Sequence, residues 1–504
     1  MKKDISKIEK QFLNYVNKMM AYNEAISLMY WDLRTGAPKN GVDQRSEVIG
    51  MLSQEVFKMS TSEEMAAYIA ELSPKHVQEQ LSPVVRHTLA ECKKEYERNK
   101  KIPADEYKEY VVLQSKAEAV WEEAKAKSDF AMFEPYLQKL VDFTKRFITY
   151  WGYEKHPYNT LLDLYEPGIT VDVLDRVFTQ LRDRIVPLVQ QINESSHKPE
   201  TSFLFQKFPK EKQRAFSLAI LKELGYNFDA GRLDETVHPF AISLNPGDVR
   251  ITTKYDENDF RTAIFGTIHE CGHALYEQNI SPELIGTPLC DGTSMGIHES
   301  QSLFYENFIG RHYSFWKRYY DLFKQYAPHF ANVSLDDFYR AINESKPSLI
   351  RIEADELTYP LHIIIRYEIE KGLFSGDIEV KDLPDIWNEK YEKYLGIRPD
   401  NDANGVLQDV HWSGGSFGYF PSYALGYMYA AQFKHAMEKD LPNFDQLLEQ
   451  GELIKIREWL TEHIHRFGKM KKPLEILQDV TGEGLNPDYL IRYLEEKYKE
   501  IYRL

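Results

Sequence analysis

The chain has 504 residues, of which 43% are hydrophobic, so it can bury a large core and its composition excludes a disordered protein. A formal net charge of −16 argues against nucleic acid or an anionic membrane as its main partner. Three cysteines in a chain of this length exclude a disulfide framework. Because no Gly/Ser linker or change of composition divides the sequence, we predict one domain over 1–504, with a division into two helical lobes left open.

The N-terminal part of the sequence has the pattern of long helices separated by short breaks. Residues 5–31 carry apolar side chains at helical spacing, and this pattern ends at Gly36 to Pro38. Charges interrupt residues 1–20, which therefore resemble neither a signal peptide nor a membrane span, and the expected compartment is the cytoplasm. Few strand signals are present, so the predicted fold class is mainly α. Further helices are predicted at about 43–58, 61–72, 77–99, 103–127 and 130–152.

A strand pattern then appears between Thr236 and Tyr255. Apolar Val249 and Ile251 alternate there with polar residues, and residues 245–248 have the composition of a turn. This pattern predicts a β-hairpin immediately before the next helix. An edge strand in this place could hold an extended peptide by backbone hydrogen bonds, but a hairpin that only covers the core has the same pattern.

Residues 259–277 contain an H-E-x-x-H motif in a segment whose apolar spacing predicts a helix. His269 and His273 are four residues apart and therefore share one helical face, with Glu270 beside them. Two imidazoles and a nearby carboxylate are the groups that a metal-activated water requires, although solvated or packed histidines can give the same pattern. Cys271 points away from that face and is predicted to be a small packing residue.

The next predicted helix carries Glu299, 26 residues after His273 (299 − 273), and Thr293 and Ser294 can cap its start. A catalytic zinc ion takes three protein ligands and keeps one open position, so Glu299 is the predicted third ligand. The glycine-containing tract 396–418 is long enough to be a functional loop. Helices are predicted at about 335–346, 350–372, 380–395, 423–438, 443–449, 451–468, 473–478 and 487–502.

Six short motifs in this order resemble those of the carboxypeptidase Taq family, and the resemblance extends over essentially the whole chain. The motifs are His238 to Phe240, Asp248 to Thr252, His269 to His273, His298 to Gln301, Ile350 to Asp355 and Gly405 to Trp412, and Trp31 to Thr35 also resembles the family's N-terminal stretch. The resemblance implies a large, mainly α-helical metallopeptidase fold similar to neurolysin and angiotensin-converting enzyme. It implies a deep central groove, with a small β-hairpin or sheet next to the metal helix.

The implied activity is that of a metal-dependent carboxypeptidase of broad specificity, which releases single C-terminal amino acids from peptides, commonly as a homodimer. By the resemblance, His269, His273 and Glu299 bind one divalent metal ion. Zinc is expected, and cobalt and manganese also suit this ligand set. Glu270 is the implied general base, which takes a proton from the attacking water and returns it to the leaving amine.

The resemblance also implies groups that contact the substrate. Tyr423 is the first choice as hydrogen-bond donor to the developing oxyanion, and Tyr419 is its rival. His238 and His411 are expected to donate to the substrate backbone or to the same oxyanion.

A free α-carboxylate suits recognition by arginine, because a guanidinium can bind it with two hydrogen bonds. Arg351 is the main candidate and Arg250 the second. Each could instead pair with the aspartate of its own motif, Asp355 or Asp248.

The partner of the metal-binding histidines is not assigned by the sequence. In several related metallopeptidases an acidic residue four positions after the glutamate ligand orients a histidine through its free nitrogen. Leu303 occupies that position here. The partner must therefore come from another part of the chain.

Two other functions are compatible with the same sequence. An oligoendopeptidase would use the same chemistry inside short peptides, and it would tolerate a C-terminal amide that a carboxypeptidase rejects. A non-catalytic helical binding protein would have lost its metal, although every expected ligand and the base are present. The expected partners are peptides with a free C-terminal carboxylate, and neither nucleic acid nor a membrane is expected.

Overall fold

The computed structural model describes residues 5–504, and helices make up most of this range. The predicted mainly α fold is therefore confirmed. The helices are α1 (Ile5–Thr35), α2 (Val42–Ser60), α3 (Glu63–Leu72), α4 (Lys75–Gln78), α5 (Pro83–Lys100), α6 (Ala104–Lys127), α7 (Phe130–Trp151), α8 (Tyr158–Tyr165), α9 (Val171–Glu194), α10 (Lys210–Leu224), α11 (Arg261–Gln278), α12 (Met295–Leu303), α13 (Tyr313–Tyr326), α14 (Leu335–Ile342), α15 (Tyr359–Ser375), α16 (Leu383–Leu395), α17 (Pro421–Asp440), α18 (Phe444–Gln450), α19 (Leu453–His463), α20 (Pro473–Thr481) and α21 (Asp488–Tyr502).

Some predicted helix boundaries are wrong. The helix predicted at 350–372 begins only at Tyr359, because the Asp355 carboxylate accepts the backbone N–H groups of Leu357 and Thr358 and so forms a turn before the helix. The helix predicted from residue 77 begins at Pro83, where the Ser82 hydroxyl caps its first turn. These polar caps outweigh the apolar periodicity that continues across them.

The predicted hairpin is present as part of a three-stranded sheet with the order β1-β3-β2. Strand β2 (Ala241–Asn245) pairs antiparallel with β3 (Asp248–Thr253), and β1 (Leu233–Glu235) pairs parallel with β3. In this register Ser243 lies opposite Val249. Val249 and Ile251 are fully buried, and both β2 and β3 contact α11, so the sheet lies next to the H-E-x-x-H helix.

Two glycines allow α11, α12 and α17 to pack closely around the site. A Cβ atom at Gly272 of α11 would lie 2.6 Å from the Cα of Ser302, and one at Gly426 of α17 would lie 2.7 Å from the Cβ of Glu299. No real side chain fits at these distances. The absence of a Cβ therefore brings Glu299 against both neighbouring helices.

The described chain has a large apolar core and a smaller one near the N-terminus. The smaller core is formed by α1, α3 and α5 with the segment that joins α3 to α5, and it includes Phe12, Met65 and Leu89. Within residues 5–504, no helix is both long enough and apolar enough to span a membrane.

Candidate metal centre

Helices α11 and α12 bring the three predicted metal ligands together. The Nε2 atom of His273 lies 3.5 Å from Oε2 of Glu299, and the Nε2 atom of His269 lies 3.9 Å from the same oxygen. One ligand atom from each residue lies within 4.8 Å of the others. Two imidazoles and one carboxylate that converge in this way suit a catalytic divalent metal, which keeps a further position for water. The residues present therefore fit the expected ion.

The ring nitrogen of His269 that is not directed at Glu299 is hydrogen-bonded to a carboxylate that the sequence did not reveal. Its Nδ1 atom lies 2.9 Å from Oε2 of Glu306, whose other oxygen accepts from Arg311 at 3.2 Å. Glu306 lies in a π-helical turn, Phe304–Gly310, that continues α12. Leu303, the position expected to be acidic, is buried and apolar. The partner of His269 is thus seven residues beyond Glu299 (306 − 299), and because a π-helical turn carries it, the regular helical spacing does not reveal it.

The ring nitrogen of His273 that is not directed at Glu299 contacts a second imidazole. Its Nδ1 atom lies 2.7 Å from Nδ1 of His298, and Nε2 of His298 lies 2.7 Å from Oε1 of Glu277. His298 belongs to a motif but had no predicted role. Glu277 follows His273 by four residues and so lies on the same face of α11, a relation that can be recognised from the sequence.

Glu270 lies beside the ligands and is 8% exposed. Burial raises the pKa of its carboxyl group to about 7, against the opposing effect of His269. A carboxyl group with a pKa near neutrality can both accept and return a proton at ordinary pH. Cys271, on the other side of α11, is fully buried, as the prediction of a packing role requires.

Four of the other predicted residues meet around the start of α17. The Nε2 atom of His411 lies 3.3 Å from the hydroxyl of Tyr423, and the rings of Tyr419 and Tyr423 are 5.2 Å apart. The guanidinium of Arg351 lies 5.1 Å from the centre of the Tyr423 ring. Burial and then the charge of Glu299 raise the pKa of Tyr419, which places this group within electrostatic reach of the metal ligands.

Arg351 pairs with an aspartate from another motif. Its Nε atom donates to Oδ1 of Asp409 at 2.9 Å, so the suggested pairing with Asp355 is wrong. Asp355 instead accepts from the hydroxyls of Ser345 and Thr358, which satisfy it locally.

Asp409 is shared between two arginines. The Nε atom of the fully buried Arg366 donates to its other oxygen at 2.6 Å. Although burial opposes it, the charges of Arg366 and Arg351 hold the pKa of Asp409 well below its usual range. Two guanidinium groups on one carboxylate leave one positive charge in excess beside Tyr423.

Arg250 and His238 lie away from this group of contacts. The Nε atom and one terminal nitrogen, Nη2, of Arg250 each donate to the Asp248 carboxylate at 2.7 Å, so the alternative of pairing within its own motif is observed for this residue. Its guanidinium also lies 5.5 Å from the Trp31 ring and lines a cleft of about 840 Å³ between α1, α2 and the sheet. His238 is exposed on the bend between β1 and β2, and within residues 5–504 it is not hydrogen-bonded to any other predicted site residue.

Proteins of known class match the chain along nearly its whole length. Residues 11–498 match the family described as carboxypeptidase Taq (M32) metallopeptidase. The chain belongs to this family. The predicted resemblance and the predicted enzyme class, a metallocarboxypeptidase that hydrolyses peptide bonds, are thereby confirmed.

Individual relatives agree with this assignment. The chain is 62% identical over 502 residues to carboxypeptidase 1 of Bacillus subtilis, and the alignment covers 99% of this chain and 100% of that protein. It is 40% identical over 487 residues to thermostable carboxypeptidase 1 of Thermus thermophilus, covering 94% and 95% respectively. The crystal structure of the M32 carboxypeptidase from Deinococcus radiodurans superposes with a TM-score of 0.95 at 33% identity, covering 99% of this chain and 100% of that one.

Proposed function

We propose that this metallocarboxypeptidase removes amino acids one at a time from the C-terminus of peptides, with broad side-chain specificity. We further propose that His269, His273 and Glu299 hold one divalent ion, with zinc as the first choice and cobalt or manganese as alternatives. The observation that carries the proposal is the convergence of these three ligands beside the buried Glu270.

The chemistry divides between the ion and the protein. When bound, the ion acts as a Lewis acid toward the scissile carbonyl and the attacking water. Glu270 takes the proton from that water and delivers it to the leaving amine. The hydroxyl of Tyr423 donates to the developing oxyanion, while His411 holds that hydroxyl from 3.3 Å away. Tyr419 packs against Tyr423 and is the alternative donor.

Recognition of the substrate's end is assigned to Arg351. Because Arg351 and Arg366 share Asp409, one positive charge remains for a substrate carboxylate to neutralise. Arg250 is the second choice, since it lines the cleft beside Trp31 rather than contacting Tyr423. His238, exposed near the sheet, is proposed to contact the substrate backbone further from the cleaved bond.

One experiment tests the reaction class. A mixed-sequence peptide and its C-terminal amide are incubated with the protein, with and without a chelator, and followed by mass spectrometry. We expect a ladder that shortens from the C-terminus, little cleavage of the amide and no cleavage with the chelator. Internal fragments would indicate an oligoendopeptidase, and an intact peptide after supply of zinc or cobalt would indicate a non-catalytic protein.

Further properties are proposed together with this activity. One catalytic domain over 1–504, with helical lobes flanking the groove, agrees with the absence of a linker. A cytoplasmic location is supported by the three unpaired cysteines, because a reducing compartment keeps thiols free. A homodimer is supported by exposed apolar side chains, since Phe57 of α2 stacks on Tyr107 of α6 and Val111 lies one turn further, each at least 39% exposed. Light scattering after size exclusion tests the dimer.

A further inference from the structure

The two metal-binding histidines differ in what lies behind them. His269 is backed directly by the carboxylate of Glu306, but His273 is backed by the imidazole of His298, which is in turn bonded to Glu277. A neutral imidazole carries one N–H and one lone pair. In the hydrogen-bonded series His273–His298–Glu277, the direction of each hydrogen bond therefore determines the direction of the next. The series therefore bears on which nitrogen of His273 is free to bind a metal.

The position of each proton in the series can be assigned by starting from Glu277. Oε1 of Glu277 accepts the backbone N–H of Gly292 at 3.0 Å, which marks this oxygen as an acceptor. When His298 is neutral, its Nε2 atom donates to this oxygen and its Nδ1 atom accepts. The Nδ1 atom of His273 then donates to His298, and its Nε2 lone pair is left facing Glu299.

We propose that Glu277 and His298 are positioning residues that fix the tautomer and the ring orientation of His273 for metal binding. The inference rests on the metal centre proposed above for His269, His273 and Glu299. Such partners raise the affinity of a site because the ligand needs no rearrangement before it binds the ion.

The packing around His298 allows little movement of its ring. The ring lies 4.8 Å from that of His273 and 5.0 Å from that of Tyr276, centre to centre. On another side, a Cβ atom at Gly292 would lie only 2.5 Å from Cδ2 of His298. Glu277 is 4% exposed and cannot exchange its partners for bulk water. The series is thus built into the core behind α11.

The same proton count argues against a second ion at this place. Glu277, Asp291 and His298 also bring ligand atoms within 4.8 Å of one another. However, a metal on Nε2 of His298 would remove the proton that this atom donates, and its Nδ1 atom already accepts from His273. The ring would then have to be an imidazolate. In addition, Asp291 is bonded to the Lys469 ammonium at 2.6 Å. We therefore expect one ion per chain.

Metal affinity, measured separately from activity, tests the proposal. The full chain is stripped of metal and titrated with Co²⁺, whose d–d absorption reports coordination, and Zn²⁺ affinity is obtained by competition with a chromophoric chelator. We expect His298→Ala and Glu277→Ala to bind both ions roughly 10- to 100-fold more weakly, with an altered Co²⁺ spectrum. Glu277→Gln should stay within about threefold of wild type, because its amide oxygen can still accept from His298.

His465→Gln is the matched control. His465 is fully buried, and its ring lies 5.2 Å from that of Tyr276, but its Nε2 atom bonds to Gln301 rather than to a metal ligand. We expect this variant to keep the metal affinity and the Co²⁺ spectrum of wild type even if its melting temperature falls. Melting temperatures of the metal-free variants show that each is folded.

Three outcomes would overturn the inference. They are wild-type affinity in His298→Ala, a loss in that variant no larger than in His465→Gln, and two ions bound per wild-type chain. A wild-type protein that binds no ion would refute the proposed metal centre as well, so the two failures are distinguishable.

Discussion

Glu166→Gln is expected to change how the stability of the protein depends on pH. Glu166 follows α8 and is 1% exposed. Its carboxylate accepts from the backbone N–H of Gly296 at 2.8 Å and from the hydroxyls of Ser294 and Tyr429 at 3.0 Å. It therefore holds the start of α12, the helix that carries Glu299. Burial, only partly offset by these bonds, raises its pKa from 4.5 to about 7.

The sign and size of the effect follow from that pKa. A carboxyl group whose pKa is raised in the folded state contributes stability that is fully present below about pH 4.5 and is lost as the pH rises through about 7. A difference of about 2.5 in pKa corresponds to about 3 kcal/mol in the free energy of unfolding. Glutamine does not titrate. Its amide oxygen can accept from Gly296, while its nitrogen donates to the two hydroxyls.

The assay compares denaturant unfolding of wild type and Glu166→Gln, both free of metal, at pH 4.5 and pH 8. Other titrating groups are common to both proteins and cancel in the difference. Relative to wild type, the variant should gain about 3 kcal/mol between the two pH values. Parallel pH profiles would refute the reasoning, because they would show that Glu166 has an ordinary pKa in the folded protein.

Three further predictions concern the site. Gly272→Ala should weaken metal binding and cost about 1–3 kcal/mol of stability, because its Cβ would collide with the backbone of α12. Gly266→Ala, on the same helix with open space around it, should do neither, as metal titration and melting will show. Arg351→Ala should lower kcat/KM on free-acid peptides roughly 100-fold, and an unchanged kcat/KM would contradict its role. Tyr423→Phe should lower kcat roughly 10²- to 10³-fold with little change in KM, whereas a larger loss in Tyr419→Phe would reverse that assignment.

Some of the site could be predicted because its geometry is local. A helix places residues four apart on one face whatever surrounds it, so His269 and His273 converge in any fold that keeps α11 intact. The same rule places Glu277 on the face of α11 that carries His273. The hairpin was readable as well, because the alternation through Val249 and Ile251 is also a property of neighbouring residues.

Other features could not be read because they depend on contacts between distant segments. Arg351 and Asp409 are 58 residues apart, and each could have paired within its own motif. Arg366 joins them from α15 and creates the excess positive charge. Nothing in the local pattern indicates that one carboxylate serves two arginines.

The sequence by itself determined a mainly helical fold and a pair of histidines on one helical face, because apolar periodicity and the spacing of His269 and His273 are properties of single elements. The order of the family's motifs indicated the metallopeptidase class. The tertiary structure alone decided what supports the predicted metal ligands. It placed Glu306 behind His269 through a π-helical turn, and His298 behind His273 through the close packing of α11 on α12. Close packing of helices selects one partner among many acidic and basic side chains, and that selection depends on shape in three dimensions.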